Sequence, residues 1–437
     1  MEKKYPKILI VGQSFSLLSG GGITMTNLFK GWKKENIAVA AEIIDNVDLS
    51  VCEIYYQLGY NENKKRFPFN IIEKKHPSGL RNFSQSNQSQ IRNTNNRNKL
   101  ILSKLYNYIL HFSGLFQYSR NLRLTKEFNN WLNYYEPDII YSQLSTLALI
   151  RFLTKLKNKI NKPTVIHMMD DWPSTISKPG LFHKYWKRKI DKEFRYLLNI
   201  SDLRLGICEA MCEEYKYRYN KEFFPFHNPI ELDKWNDLKH KSFNPKDIII
   251  LYTGRIGLGI EKSLEETAIA IKNINRGKKF YITLILQTKT DVPWIDKYNF
   301  IKQRFIKDYN LYPQSLADAD ILLLPYDFSE SSIKFIRYSF PTKASEYMIS
   351  GTPILVHASE ETAICKHAIK YNWAYVLSNN NLMEIEKSIV QLIENENLRN
   401  VISNNAKSFA SENFNAAKIK IEFKEKLTSC IKSNFIF

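Results

Sequence analysis

The stretch Ser339 to Val356, SFPTKASEYMISGTPILV, constrains the fold more than any other part of the 437-residue chain. Pro341 suits the first turn of a helix, because its missing N–H would have no intrahelical partner there. Thr342 to Ile349 continues without a breaker, and Gly351 stands where a left-handed glycine ends a helix. Thr352-Pro353 then turns the chain, and Ile354-Leu355-Val356 reads as a short buried strand. Upstream, Ala319 to Pro325 (ADILLLP) is another buried strand, closed by a proline. Strand, loop, helix, strand puts a positive helix N-terminus at the mouth of a parallel sheet, where α/β proteins bind anions.

The same alternation runs through the rest of the chain. Strands are expected at Lys7–Val11, Ile37–Ile44, Tyr135–Tyr141, Pro163–His167 and Ser201–Ile207, and helices at Ile23–Trp32, Leu144–Leu156 and Glu209–Tyr219. A polar, charged stretch from Glu231 to Phe243 marks a domain boundary. Beyond it, Asp247–Tyr252, Phe280–Leu286, Phe300–Phe305 and Trp373–Leu377 are strands. Helices follow from Ser263 and at Leu311–Leu316, Met383–Asn395, Leu398–Glu412 and Phe414–Ile436. A chain of this length exceeds one ordinary core. The reading is therefore two doubly wound, Rossmann-like α/β domains: residues 1–232, residues 233–412, and a last helix, 413–437, that crosses back to the first domain.

Four segments carry chemistry. Gly12 to Gly22 (GQSFSLLSGGG) reads as a loop between strand and helix, and its glycines let backbone N–H groups approach an anion. It has neither the G-x-G-x-x-G spacing nor a Gly-Lys-Ser/Thr ending, so a structural hinge is the competing reading. The strand 163–167 runs into His167-Met168-Met169-Asp170-Asp171-Trp172-Pro173, which brings a histidine and two acids to a strand's carboxyl end. A packed tryptophan and a helix-capping aspartate would explain the same residues. After Tyr252 come Thr253-Gly254-Arg255, with Lys262 seven positions past the arginine. Two fixed cations can stabilise a leaving diphosphate, whose charge grows as its bond breaks; either alone could be an ordinary surface charge. The fourth segment is the helix already described.

The pattern Ala-Asp–apolar–Pro followed by Pro-x-Lys-x-x-Glu-Tyr-x-x-x-Gly-x-Pro resembles the donor site of GT-B retaining glycosyltransferases, specifically family 4-like enzymes of bacterial surface polysaccharide synthesis. Pro341, Lys343, Glu346-Tyr347 and Gly351-x-Pro353 carry the match, and His227-Asn228-Pro229-Ile230 resembles the family's exit from the first domain, with Glu231 in place of aspartate. The resemblance implies two domains facing across a cleft and transfer of a sugar, with retention, from a nucleotide diphosphate sugar to a hydroxyl acceptor. It implies Glu346 on the ribose, and Arg255 and Lys262 on the diphosphate. Gly21, Gly22, Gly254, Pro341, Thr342 and Lys343 join the donor site, and His167, Asp170 and Asp171 are candidates beside the sugar. The expected second glutamate is replaced by Tyr338, so Glu330, Ser331 and Ser332 are candidates for the sugar hydroxyls. No metal and no cofactor is implied, the cations and the helix N-terminus serving instead. UDP is the first choice of nucleotide and GDP the second.

Composition bounds the partners. Hydrophobic residues at 44% and aromatics at 13% are globular values, and no run reaches the length of a membrane span. Ile8–Val11 is too short for a signal peptide's apolar region, and five scattered cysteines point to a reduced, cytoplasmic chain. A net charge of +19 asks for an anionic partner. The polar, basic segment Pro77–Arg97 and the aromatic, amphipathic Leu100–Phe116 suit peripheral contact with the inner face of a membrane, and hence a lipid-linked or surface saccharide acceptor. Packing of Leu100–Phe116 on its own domain is the competing reading. No nucleic-acid module is present, so a basic nucleic-acid-binding protein ranks last. A nucleotide-sugar epimerase or a polyol-phosphate transferase of the same fold is the nearer alternative.

Overall fold

The computed structural model describes residues 5–16, 19–67, 69, 76–83, 110, 112–113, 115–175, 181–306 and 308–432. Most of the basic segment 77–97 and of the aromatic helix expected at 100–116 lies outside these residues. The chain forms two units, one from Met1–Pro225 with Glu422–Phe437 and the other from Phe226–Ile421.

In the first unit, eight strands lie in the order β4-β3-β2-β1-β5-β6-β7-β8. They are β1 Ile8–Val11, β2 Ile37–Ala41, β3 Ile54–Gln57, β4 Gly79–Leu80, β5 Ile139–Gln143, β6 Thr164–Met168, β7 Leu203–Gly206 and β8 Phe224–Pro225. All neighbours pair in parallel except β3 and β4. Parallel strands covered on both faces read as continuous apolar runs, and every residue of β1, β2, β5 and β6 is buried. Strand order reverses on either side of β1, so its carboxyl end is the switch point where a doubly wound sheet opens a ligand crevice.

The second unit has a fully parallel sheet in the order β11-β10-β9-β12-β13-β14. Its strands are β9 Ile248–Thr253, β10 Ile282–Gln287, β11 Ile301–Arg304, β12 Ile321–Pro325, β13 Ile354–His357 and β14 Tyr375–Leu377. Here the switch point is the carboxyl end of β9, between β10 and β12. The core gathers Ile250, Tyr252, Leu264, Ile271, Leu284, Leu323 and Leu355, closed from below by Ile385, Ile389 and Leu392.

Two expectations change. The division falls at Pro225/Phe226 rather than at 232/233, because the intervening residues bond within the second unit. Asn228 Nδ2 donates to the Thr342 carbonyl at 3.3 Å, the His227 and Phe340 rings meet at 5.0 Å, and Ile230 N–H donates to the Phe414 carbonyl at 2.6 Å. The final helix, Ala416–Lys432, joins the first unit from Glu422 onward, where Phe423 packs edge-on against Phe29 at 5.2 Å. The glycine segment is the second change. Gly20-Gly21-Gly22 is the first turn of the helix Gly20–Phe29, not a loop, because the Ser19 side chain accepts the Gly22 N–H and caps it.

Candidate functional site

The switch point of the second sheet is built around one threonine. Thr253 ends β9, and its N–H donates to the Tyr347 hydroxyl at 2.9 Å. Its Oγ1 lies 3.0 Å from the Tyr312 hydroxyl and 3.1 Å from that of Tyr347, and its carbonyl accepts from Lys343 Nζ at 2.5 Å. Lys343 and Tyr347 reach it together because positions four apart share a helix face. Gly254 follows with φ +116°, a backbone region closed to most side chains, and a Cβ there would stand 3.1 Å from Lys343 Nζ. Arg255 comes next, its guanidinium exposed and its carbonyl held by the Tyr252 hydroxyl at 2.7 Å.

Lys343 and Glu346 lie in one turn of the helix Thr342–Ser350, and both are pulled from their ordinary ionisation. Burial pushes the Glu346 carboxyl up to about 7, against hydrogen bonds from Tyr309 and Tyr312 and the attraction of Lys343. Burial pushes Lys343 down to about 7, with Glu346 opposing. The ammonium rests 3.9 Å from the centre of the Tyr252 ring, a favourable seat for a poorly solvated cation. Glu346 is 5% exposed, and the Tyr309 hydroxyl donates to its Oε1. Tyr309 in turn stacks on Tyr312, ring centres 5.2 Å apart and planes 16° from parallel. Displaced ionisation next to a sheet's switch point makes Lys343 and Glu346 candidate functional residues.

The helix itself begins one residue later than expected. Pro341 is its N-cap, with φ −69° and ψ 134°, and it supplies no capping side chain. Proline's ring fixes φ without requiring helical ψ, so the residue fits this boundary as readily as the first turn. Thr342, the first helical residue, offers its carbonyl to Ser345 Oγ at 3.1 Å and to Asn228. Gly351 ends the helix at φ 74°, as expected.

Lys262 stands apart from this cluster. It is the second residue of the helix Glu261–Arg276, exposed, with Glu266 at 3.8 Å. The N-terminus of that helix is taken by Asp327 from beyond β12, whose Oδ1 accepts the Ser263 N–H at 2.8 Å. Glu330 and Ser331 are exposed, Ser332 is buried, and all three lie in the first turn of the helix Glu330–Ile336. Ser329 caps that helix, and its hydroxyl meets Ser332 Oγ at 2.8 Å. Tyr338 is half-buried.

In the first unit the candidates part company. Gly21 and Gly22 do stand at the switch point, where Gln143 at the end of β5 donates to the Gly21 carbonyl at 3.3 Å. His167 lies within β6, fully buried, with Nδ1 2.6 Å from the Tyr141 hydroxyl, and burial holds its imidazole neutral with a pKa lowered to about 3. It is a core histidine. Asp171 is equally enclosed: it takes the Tyr215 hydroxyl at 2.8 Å and both Arg218 guanidinium nitrogens at 2.9 and 3.2 Å. That pair ties the β6 exit to the helix Glu209–Tyr219 and leaves Asp171 no free face for a substrate. Of the three, Asp170 alone is exposed.

Sequence reasoning missed Thr253, Tyr309, Tyr312 and Asp327. The tyrosines of Asp308-Tyr309-Asn310-Leu311-Tyr312 were the available signal, since two aromatics three apart recur on one side of a helical turn. Among the described residues, no group of three or more His, Cys, Asp or Glu could hold a metal ion, and all five cysteines are free and buried.

No family model matches the chain. Over 50 residues, 11% of the chain, it is 46% identical to an uncharacterized glycosyltransferase of Methanocaldococcus jannaschii, and the match spans 13% of that protein. Solved structures align over nearly the whole length. Sucrose-phosphate synthase from Thermosynechococcus elongatus superposes with a TM-score of 0.63 at 11% identity, covering 98% of this chain and 100% of that one. HepE of Anabaena, solved with UDP and glucose, gives 0.60 at 13% identity over 97% of this chain and 100% of its own. WaaG, a glycosyltransferase involved in lipopolysaccharide biosynthesis, gives 0.59 at 12% identity over 96% and 99%. At such identities the likeness is one of architecture, and the chain has the GT-B fold of two doubly wound α/β domains.

Proposed function

We propose that this chain is a retaining glycosyltransferase that moves a sugar from a nucleoside diphosphate sugar to a hydroxyl acceptor. One observation carries the reading: Lys343 and Tyr312 meet at Thr253, beside the left-handed Gly254 at the switch point of the second sheet, and Tyr312 with Tyr309 also holds the buried Glu346. Glu346 then holds the ribose hydroxyls, exchanging the Tyr309 hydroxyl for those of the nucleotide. The exposed Arg255 guanidinium and the start of the helix Thr342–Ser350 receive the diphosphate, with Pro341 and Thr342 at the helix entry. As the anomeric bond breaks, negative charge gathers on the leaving diphosphate, and fixed cations lower that barrier without reorganising. Lys262, exposed at the start of its own helix, adds a second cation. Lys343 acts differently from a phosphate ligand: its ammonium braces the Thr253 carbonyl and so sets the direction in which Gly254 and Arg255 leave the strand.

Gly21 and Gly22, as donor-site residues, and Asp170, beside the sugar, remain the proposed site residues of the first unit. UDP is the first choice of nucleotide, supported by the UDP bound in the HepE structure, and GDP the second. A surface or lipid-linked saccharide is the proposed acceptor, WaaG being a lipopolysaccharide enzyme of the same architecture. The reaction is proposed to need no metal.

A thermal-shift series with UDP, GDP, ADP and CDP, each with and without EDTA, tests the reading. A ligand at about a hundred times its Kd adds ~2.7 kcal/mol to the folded state, roughly 5–10 °C in Tm for a unit of this size. The expected result is a shift with one nucleotide that survives EDTA. If none moves the melt, the reading fails; a shift abolished by EDTA removes its metal-free part.

A further inference from the structure

The first unit carries a surface that none of the chemistry above uses. The helix His183–Ile200 is amphipathic along its length, and Trp186, Ile190, Phe194, Leu197 and Leu198 form its buried stripe. Stepping round the helix at 3.6 residues per turn, the opposite face presents Lys184, Tyr185, Arg188, Lys192, Arg195 and Tyr196. All six are exposed. The helix has two acids, and both are neutralised locally: Asp191 by Arg195 at 2.8 Å and Glu193 by Arg151 at 2.6 Å. Among the described residues, Lys184, Arg188 and Lys192 have no acidic partner.

A band of apolar side chains borders this charge. Leu181 and Phe182, just before the helix, are 72% and 49% exposed, and Tyr185 is 53% exposed. Leu181 N–H donates to the Phe112 carbonyl at 2.9 Å, which brings a second segment alongside, with Phe112 and Leu115 also exposed. Large aliphatic and aromatic side chains left in water at one end of a helix, with cations along its outer face, are costly for a chain that stays in solution. An interface that takes up apolar side chains and is itself negatively charged satisfies both halves, and an anionic bilayer is such an interface. An acidic protein groove would match the charges as well, but it would not call for aromatics beside lysines at one boundary, which suits the headgroup level of a membrane.

We infer that the outer face of the helix His183–Ile200, with Leu181, Phe182 and Phe112, is a docking surface for anionic phospholipid. Leu181 and Phe182 enter the headgroup boundary, and Lys184, Arg188 and Lys192 lie against the phosphates. This inference does not rest on the glycosyl-transfer reading, because lipid binding is measured without any nucleotide or acceptor.

The test is co-sedimentation of the full chain with vesicles of phosphatidylcholine alone and of phosphatidylcholine with phosphatidylglycerol. Binding is expected to the anionic vesicles only, and to fall as salt rises, because exposed charges are screened. Lys184→Glu/Arg188→Glu/Lys192→Glu is expected to weaken it about a hundredfold or more. A variant of equal net charge, Lys302→Glu/Lys366→Glu/Lys418→Glu, replaces exposed lysines of the second unit and is expected to stay within about twofold of the unaltered chain. Leu181→Ser/Phe182→Ser keeps every charge and is expected to lose about tenfold, with an unchanged melt as the check on folding. Absence of binding to anionic vesicles at low salt overturns the inference. So does equal binding to both kinds of vesicle, or an equal loss in the two charge-reversal variants.

Discussion

The two units share a doubly wound plan, yet they treat the polar groups at their strand ends in opposite ways. At the exit of β6, Asp171 is 2% exposed and its carboxylate is met by a guanidinium fork and a tyrosine hydroxyl, each oxygen accepting at least one hydrogen bond. At the exit of β9, Glu346 and Lys343 are close enough to attract one another, but burial still pushes each toward its neutral form. The first arrangement pins a strand end to a helix, whereas the second keeps two ionisable groups displaced from their ordinary values by burial. Strand-end acids and bases are therefore not equivalent: Asp171 is balanced by a guanidinium in direct contact, whereas Glu346 is held by tyrosine hydroxyls and Lys343 by a backbone carbonyl.

The strongest challenge to this contrast is Asp171→Ala. The change leaves the buried Tyr215 hydroxyl unpaired and strips Arg218 of one partner, while Glu214 at 2.8 Å still balances that charge, so the cost is about 1–3 kcal/mol. Urea unfolding should show that loss as a lower midpoint with an unchanged slope. A stable Asp171→Ala protein that has lost turnover would reverse the assignment and make Asp171 a substrate-facing group.

Arg255→Ala is the counterpart in the second unit. Its guanidinium is exposed, so the urea midpoint should stay in place while turnover falls about a hundredfold, the loss typical of one preorganised charge-stabilising group. Lys262→Ala should also slow transfer, and if both cations act on one diphosphate the double variant will be less than multiplicatively worse. Fully multiplicative losses would separate the two into different roles.

Much of this architecture was legible in the amino-acid order, for a physical reason. Strands buried on both faces must be apolar throughout, so β1, β2, β9, β10 and β12 announce themselves as short runs of Ile, Leu, Val and Ala. The helix Thr342–Ser350 was legible because Pro341 and Gly351 punctuate it. Strand β3 was not, since Ile54-Tyr55-Tyr56-Gln57 mixes aromatic and polar residues, and the two-residue β4 and β8 are too short to leave a pattern. Burial was the larger blind spot. Nothing near His167 shows that Tyr141 will close over it, and the arginine that neutralises Asp171 lies 47 positions away. Tyr309 was hidden likewise, for it meets Glu346 only once the chain has folded.

The buried pair itself gives a smaller effect with a distinctive sign. Glu346 binds its proton more tightly folded than unfolded, so stability falls as pH rises from its ordinary 4.5 through about 7. Lys343 binds its proton less tightly folded, so stability also falls as pH drops from its ordinary 10.5 through about 7. The pair should therefore stabilise least near neutrality. Lys343→Met/Glu346→Gln should remove that minimum and leave the chain as stable as before, or more so by ~1–4 kcal/mol at pH 7. Glu346→Ala should in turn cost roughly 1.5–3 kcal/mol of nucleotide binding, the worth of hydrogen bonds to a charged group, read by isothermal titration. A double variant much less stable than the starting chain would place this cluster with Asp171, as structure rather than site.

The finest discrimination comes from adjacent glycines in the first unit. A Cβ on Gly22 would lie 2.4 Å from the Ser16 carbonyl oxygen and 2.7 Å from the capping Ser19 Oγ, so Gly22→Ala must move backbone and should cost about 1–3 kcal/mol. A Cβ on Gly21 meets only Gln143 Oε1, at 2.9 Å, the free end of a side chain that can rotate away. Gly21→Ala gives up a 3.3 Å hydrogen bond from Gln143 but gains the helix preference of alanine over glycine, up to about 1 kcal/mol, so its melt should barely change. Any fall in turnover for Gly21→Ala then measures what the glycine does for a substrate, free of folding effects. If the enzyme keeps its full rate, the glycine turn is packing, and the first unit's claim on the reaction passes to Asp170.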